Sequence, residues 1–156
     1  GKKYEEKWLN MMRSKLGLLG EDKKDKFLIV DLLTWMHQNK VDYTNTFCHL
    51  MNLKDYDDDI YKDNSFQNWK KNWQERLKLD NNTQEKYISL MRTVNPLVIP
   101  RNDKVEKTLE SAEKEDYIFL KKIISALKKP YELSDEKRDY QNPDPQQKNY
   151  QTFCGT

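Results

Sequence analysis

The chain has 156 residues, of which 35% are charged, yet its formal net charge is only +2. This length suits one ordinary domain. Leu, Ile, Val and Phe make up about 22% of the residues, just above the roughly 20% below which highly charged chains stay disordered. Four Trp and 12% aromatic residues supply large apolar surfaces that disordered segments lack. We therefore expect a folded chain with a narrow core and a wide polar surface.

The composition also excludes several classes of protein. No stretch approaches 18 consecutive apolar residues, so we expect no membrane partner. The first residues, Gly-Lys-Lys-Tyr-Glu-Glu, lack the apolar segment of a signal peptide, which favours a cytoplasmic location, and the missing initial Met suggests a piece of a longer protein. Cys48 and Cys154 are too few for a disulfide framework or a four-ligand zinc site. The balanced charge argues against nucleic acid as a partner.

Apolar residues recur at helical spacing in the first fifty positions, which predicts α-helices rather than strands. The first helix is expected to end at Gly17, while Asp25 and Asp42 are expected to cap the second and third helices. The second helix is apolar over more than half of its circumference, so we expect it to be the central element. The residues expected to face inward are Tyr4, Trp8, Met11, Met12 and Leu16, then Phe27, Leu28, Val30, Leu32, Leu33, Trp35 and Met36, then Phe47, Leu50 and Met51.

Two further helices are predicted before residue 95. Asn64 or Ser65 is expected to cap the fourth helix, and Thr83 leads the fifth. The residues expected to face inward are Phe66, Trp69, Trp73 and Leu77, an aromatic stripe with steps of three and four, and then Tyr87, Ile88, Met91 and Val94. This spacing indicates a buried stripe rather than a stacking surface for nucleic-acid bases.

A clear interruption follows, with the sequence Asn-Pro-Leu-Val-Ile-Pro-Arg-Asn. Pro96 and Pro100 exclude a helix between them and favour extended backbone at Asn95. Asn102 is expected to cap a sixth helix, and a seventh is predicted from about 117 to 128. Their expected inward residues are Val105, Leu109 and Ala112, then Leu120, Ile123, Ile124 and Leu127.

The overall prediction is an all-α fold, with residues 1–130 forming an irregular bundle of about seven helices. Residues 131–156 are predicted to form an extended tail that ends in Cys154, because this segment is rich in Gln, Asn, Asp and Pro. Within this tail, the sequence is compatible with one helical turn near Ser134. An exposed thiol on such a tail can reach a partner sulfur, so we expect a redox role for Cys154, with an incidental surface cysteine as the alternative. Cys48 is expected to be buried and inert.

The sequence offers little for catalysis or metal binding. An EF-hand loop counted from Asp55, the first residue of the acidic run 55–63, would have Ile60 where Gly is needed and Phe66 where Glu is needed. We therefore interpret the run as a solvated loop. Neither His37 nor His49 has a second ligand at metal-binding spacing. Without a Gly-rich loop or a Ser/His/Asp arrangement, the chain is predicted to hold no catalytic residue, cofactor or metal and to bind no ATP by itself.

Arg101 and a set of lysines on the seventh helix each have two possible roles, one structural and one in binding. Arg101 lies between Pro100 and Asn102, and its planar guanidinium suits a carboxylate or unpaired carbonyl oxygens. It is interpreted as a staple between this loop and another element, with contact to a partner domain as the alternative. A basic set on the seventh helix is interpreted as a solvated face near a helix C-terminus, with phosphate contact as the alternative. That set is Lys121, Lys122, Lys128 and Lys129.

Several short motifs together resemble the selenoprotein O (SelO, YdiU) family of protein adenylyltransferases. The most specific is the block from Asn95 to Asn102, which has the form Asn-Pro-x-x-Ile-x-Arg-Asn. The others, in the family's order, are Lys15-Leu16-Gly17-Leu18, Asp42-Tyr43-Thr44 with Phe47 and Leu50, Met91-Arg92-Thr93-Val94, and the Cys-Gly-Thr end. The resemblance covers essentially all 156 residues but only the last third or so of a family member.

The resemblance implies that the parent protein is a pseudokinase that binds ATP with magnesium or manganese and transfers AMP to protein hydroxyls. Its catalytic and metal-binding motifs lie upstream in a kinase-like domain and do not occur here. The implied partners are that domain, on which the helical region packs, and the protein substrates. A cysteine or selenocysteine near the family's C-terminus matches Cys154, although the paired cysteine of the eukaryotic tail is missing. The alternative is a free-standing helical protein-interaction module without catalysis.

Overall fold

The computed structural model describes residues 1–53, 58–80, 83–132 and 134–142, without the side chains of 135 and 136. Regular structure in these residues is entirely helical, which confirms the all-α prediction and the seven predicted helices. The helices are α1 (Lys2–Lys15), α2 (Asp25–Gln38), α3 (Tyr43–Leu50), α4 (Asn64–Leu79), α5 (Gln84–Val94), α6 (Asn102–Glu113) and α7 (Ile118–Lys128), with 3-10 helices at Asp59–Lys62 and Asp135–Tyr140. Within the described residues, no helix combines the length and the apolar character that a membrane span requires.

The chain divides into two compact units, Gly1–Pro96 and Leu97–Thr156. The boundary between them lies at the proline-containing interruption. The first unit contains α1 to α5, and the second contains α6 and α7. The predicted tail is described only as far as residue 142.

Local capping signals predicted the start of two helices correctly. The carboxylate of Asp42 accepts a hydrogen bond from the backbone N–H of Asn45 at 2.8 Å. The hydroxyl of Thr83 accepts one from the backbone N–H of Lys86 at 3.4 Å. Each bond satisfies a donor that the first turn of a helix leaves unpaired.

The other predicted caps are displaced by one or two residues. α4 is capped by Asp63 rather than by Asn64 or Ser65, because the Asp63 carboxylate accepts from the backbone N–H groups two and three residues later. Asp25 is the first residue of α2, not its cap. Asn102 is likewise the first residue of α6, and the extended residue before it occupies the cap position.

All four residues of the aromatic stripe of α4 are buried, as predicted. The rings of Trp69 and Trp73 stack with an interplanar angle of 7° and centroids 6.0 Å apart. The indole N–H of Trp69 donates to the carbonyl oxygen of Leu28 at 2.8 Å, and that of Trp73 donates to Leu16 at 2.9 Å. The stripe therefore connects α4 to α2 and to the end of α1 through hydrogen bonds as well as apolar contact.

Some apolar residues that were predicted to face inward are exposed. In the first unit these are Tyr4, Met11, Phe27 and Val30, and in the second they are Leu109 and Ile124. α2 buries Ile29, Leu32, Trp35 and Met36, so its outer face carries Phe27 and Val30. Helical periodicity identifies apolar positions, but it does not specify which of them a neighbouring element covers.

The second unit is built on the packing of α6 against α7. The backbone N–H groups of Leu97 and Val98 donate to the carbonyl oxygen of Pro130 at 2.7 and 3.2 Å, which ties the start of this unit to the end of α7. The single turn expected near Ser134 is the 3-10 helix Asp135–Tyr140, which packs on α7.

Candidate functional site

Residues from three of the motifs that resemble the SelO family meet in the first unit. Lys15 ends α1, Tyr43 and Phe47 lie on α3, and Asn95 follows α5. The Nζ atom of Lys15 lies 3.1 Å from Oδ1 of Asn95, and 5.3 and 4.9 Å from the ring centroids of Tyr43 and Phe47. We call these four residues the Lys15 cluster.

Asn95 joins the C-terminal ends of α1 and α5. Its side chain is buried, and Nδ2 donates to the carbonyl oxygens of Lys15 at 2.9 Å and Met91 at 3.0 Å. Its Oδ1 accepts from the Lys15 ammonium group. The last carbonyl groups of a helix have no partner within the helix, so a single buried amide satisfies carbonyl groups of both helices.

Gly17 allows α1 and α5 to approach closely. Its φ of +72° is in the left-handed region, where residues with a Cβ atom are strained. A Cβ atom there would lie 2.8 Å from Cβ of Tyr87 and 3.2 Å from Cγ of Met91. The residue predicted to end the first helix is therefore also the contact point with α5.

The electrostatics of the Lys15 cluster are those of a half-buried cation. Burial lowers the pKa of Lys15, because the ammonium group loses hydration. The faces of two aromatic rings and an amide oxygen replace part of that hydration. Chemically, this arrangement holds α1, α3 and α5 together around one positive charge.

Arg101 makes the type of contact that a structural staple requires. Its Nε donates to the carbonyl oxygen of Gln141 at 2.8 Å, and both residues are buried. The bond joins the start of α6 to the end of the 3-10 helix at 135–140 within the second unit. Pro96 is half-buried, whereas Pro100 and Asn102 are exposed.

Sequence reasoning missed the strongest electrostatic feature of the first unit, which lies at the start of α2. The carboxylate of Asp25 is fully buried. Its Oδ2 accepts from Nε of Arg13 at 2.7 Å, and its Oδ1 accepts from Nε of Arg76 at 2.7 Å. We call these three residues the Asp25 cluster. Its members are 12 and 51 positions apart, a separation at which helical periodicity gives no signal.

Hydrogen bonding keeps the buried carboxylate ionised. Burial raises the pKa of Asp25, but hydrogen bonds from Arg76, from the backbone N–H of Asp22 and from Arg13 outweigh it and leave the pKa below its ordinary value. Arg76 also donates to Oδ2 of Asp80 at 2.6 Å and to the carbonyl oxygen of Gly20 at 3.1 Å. The cluster therefore connects α1, α2 and α4 through charge-assisted hydrogen bonds.

The remaining candidates are members of neither cluster. His37 is exposed, and His49 stacks on Tyr61 with ring centroids 4.0 Å apart. Cys48 is fully buried, as predicted. The four lysines of the seventh-helix set are exposed. Cys154 and positions 55–57 of the acidic run lie outside the described residues. In the part of the chain that is described, no three His, Cys, Asp or Glu side chains are grouped so that they could hold a metal ion.

Comparisons with known proteins agree with the motifs. The family model "Protein adenylyltransferase SelO" matches residues 1–128. The chain is 48% identical over 154 residues to a protein nucleotidyltransferase YdiU of Pelagibacter ubique. It is 42% identical over 158 residues to a YdiU of Bacillus cytotoxicus, and 42% identical over 156 residues to one of Clostridium perfringens.

These alignments cover 98%, 100% and 99% of this chain but 32% of each relative, so the chain spans about a third of the length of the curated relatives it matches. The family match includes all four residues of the Lys15 cluster and all three of the Asp25 cluster. It extends over most of the chain, and this chain therefore belongs to the SelO family.

Proposed function

We propose that this chain is the helical C-terminal region of a SelO-type protein adenylyltransferase. In the proposed reaction of the whole protein, a hydroxyl oxygen of a protein substrate bonds to the α-phosphorus of ATP. The bond from that phosphorus to the oxygen that bridges the α- and β-phosphates breaks, pyrophosphate leaves, and the hydroxyl proton is released to solvent. The kinase-like part would bind ATP with magnesium or manganese. The family match and the names of the relatives support this transferase activity.

One observation supports a structural and regulatory role for this region. Several of the described motif residues that carry the family resemblance are buried, and two of them, Asn95 and Gly17, hold α1 and α5 together. Such residues preserve the shape of a surface rather than contact a reacting group. We infer that the region packs on the kinase-like part and sets its activity.

We also propose that Cys154 is a redox latch. In the oxidised state its sulfur would form a disulfide with a cysteine of the kinase-like part, with two electrons and two protons passing to an oxidant such as a peroxide. Full burial of Cys48 supports a pairing outside this chain, since a buried thiol is a poor partner for exchange. In a reducing cytoplasm the latch would be open.

The test measures the rate of AMP transfer by the full-length protein, expressed from its natural reading frame, and by the same protein without these 156 residues. We expect labelled AMP to appear on an acceptor protein with the intact enzyme, and its rate to change by at least tenfold when this region is removed. Asn95→Ala should change the rate in the same direction, whereas Lys86→Ala, at an exposed position of α5 outside the motifs, should not. Absence of AMP transfer by the intact protein would contradict the proposed activity, and an unchanged rate after truncation would contradict the regulatory role and favour an independent interaction module.

A further inference from the structure

An open groove of about 690 Å³ lies between α2 and α4 in the first unit. Phe27, Leu28 and Asp31 line one wall, and Glu75, Arg76 and Leu79 line the other. The two helices run antiparallel, because contacts join Asp25 to Arg76, Leu28 to Trp69 and Trp35 to Phe66. We call this feature the α2–α4 groove.

The two walls expose large apolar side chains. Phe27 is 70% exposed and Leu79 is 71% exposed, although each belongs to a helix whose other face is buried. Exposed apolar side chains that converge on one groove with a polar rim mark an interaction site. Phe27 is also one of the residues that the sequence pattern predicted to face inward, which is what we expect if another element covers it.

The spacing of the lining residues fits a helical occupant. They include positions 24, 27, 28 and 31 at the start of α2, where 24 is the residue just before the helix, and positions 72, 75, 76 and 79 on α4; Asp22 and Asp25 also line the groove. Both sets follow the i, i+3, i+4, i+7 pattern, which extends each wall over about 10 Å. Two antiparallel helical walls of this length can receive one apolar face of a third helix, the mode known as helix-in-groove recognition.

The two helices that form the groove are joined to each other before any partner binds. The indole N–H of Trp69 on α4 donates to the carbonyl oxygen of Leu28 on α2, and Arg76 on α4 donates to Asp25 on α2. These contacts fix the separation of the walls, so little ordering is needed on binding.

Charge indicates the chemistry of the occupant. The charges of Arg76 and Asp25 are paired with each other inside the protein. The other charged residues that line the groove are three acids and one base, namely Asp22, Asp31, Glu75 and Lys24. A partner that carries Lys or Arg beside its apolar residues is therefore electrostatically complementary to the rim.

We propose that the α2–α4 groove binds a basic amphipathic helix from the upstream part of the same polypeptide. Its apolar side chains contact Phe27 and Leu79, and its Lys or Arg side chains pair with Asp31 and Glu75. This inference rests on the proposed function, in which the chain is one region of a protein about three times its length, as its 32% coverage of the relatives indicates.

Photo-crosslinking in the full-length protein tests the occupant. Benzoylphenylalanine replaces Phe27 in one sample and Tyr4 in the control, since Tyr4 is an aromatic residue of the same unit that is 77% exposed and does not line the groove. We expect position 27, but not position 4, to crosslink to an upstream peptide with apolar residues three and four apart and with flanking Lys or Arg. A crosslink from position 27 to a second copy of the chain or to a separate protein would overturn the proposal. The absence of any crosslink from position 27 to an upstream peptide would overturn it as well.

A second experiment measures hydrogen exchange of the crosslinked peptide in full-length variants. Phe27→Ser combined with Leu79→Ser should speed its exchange at least tenfold, as should Asp31→Lys combined with Glu75→Lys, whereas Tyr4→Ser should not. All five positions are exposed, so we expect the helical circular dichroism signal to be retained. Unchanged exchange in both double variants would contradict the proposal. If the full-length protein transfers AMP but position 27 does not crosslink, only the proposed occupant of the α2–α4 groove is rejected. If position 27 crosslinks as expected but no AMP is transferred, only the proposed enzymatic activity is rejected.

Discussion

Nε of Arg76 donates to the carboxylate of Asp25 at 2.7 Å in the interior of the first unit, across 51 positions of sequence. The same carboxylate accepts from Arg13. Burying three charges has a desolvation cost that can exceed their mutual attraction, so such a cluster does not by itself imply high stability. It does make the arrangement of α1, α2 and α4 specific, because a shift of one helix would leave a buried charge without its partner.

Removing the shared acid should destabilise the first unit strongly. Asp25→Ala leaves two buried guanidinium groups without their carboxylate, and we expect a loss of about 3–5 kcal/mol in the free energy of unfolding. Urea denaturation measures it. Asp59→Ala is the matched control, because Asp59 pairs with Lys62 on the surface, and we expect no measurable loss there. A loss below about 1 kcal/mol for Asp25→Ala would contradict a stabilising cluster.

The same carboxylate should make stability depend on pH in the acidic range. The pKa of Asp25 is lowered in the folded protein, so its contribution is complete above the ordinary Asp pKa of about 3.9 and is lost as the pH falls through the folded value. The difference in unfolding free energy between wild type and Asp25→Asn should therefore narrow below about pH 4. Other carboxylates titrate in both proteins, so the comparison isolates Asp25. A difference that stays constant from pH 7 to pH 2 would exclude this linkage.

Trp73 should be one of the most sensitive core positions. Its side chain is almost fully buried, and its indole N–H donates to the carbonyl oxygen of Leu16. We expect Trp73→Ala to cost about 3–5 kcal/mol and Trp73→Phe to cost about 1–3 kcal/mol, since the latter retains an aromatic ring but leaves a buried acceptor unsatisfied. Tyr4→Ala, at an exposed aromatic residue, should stay within about 0.5 kcal/mol of wild type. Equal melting midpoints for Trp73→Ala and Tyr4→Ala would contradict this assignment.

The contrast between Trp73 and Phe27 shows what could be predicted from the sequence. Helical spacing identified both as apolar positions and correctly placed Trp73 in the core, because the stripe of α4 is continuous over about three turns. Phe27 belongs to a helix that is apolar on several faces, and the packing of α1 and α4 determines which of these faces is covered. Capping by Asp42 and Thr83 was predictable because it depends on neighbouring residues. The Asp25 cluster depends on chain topology, and no local pattern specifies it.

Gly17 should tolerate no side chain. Gly17→Ala places a Cβ atom at a φ of +72° and within 2.8 Å of Tyr87, and we expect a loss of about 1–3 kcal/mol from backbone strain before any displacement of α5 is added. Gly1→Ala serves as the control, because no atom would lie within 4 Å of its added Cβ. Thermal melts of both variants measure the difference. A Gly17→Ala protein as stable as wild type would contradict the close approach of α1 and α5.

The two cysteines should differ sharply in reactivity. Cys48 is fully buried in α3, so we expect it to react with a thiol reagent only when the first unit opens, at a rate that rises with urea. Cys154, which we propose as the latch, should react at the rate of an unfolded peptide thiol. Cys154→Ser should remove the fast phase, and Cys48→Ser should remove the slow one.

In the full-length protein, Cys154→Ser should abolish the difference in AMP transfer between peroxide-treated and reduced enzyme and leave the reduced activity unchanged. A redox dependence that persists in Cys154→Ser, or that is absent from the wild type, would contradict the latch.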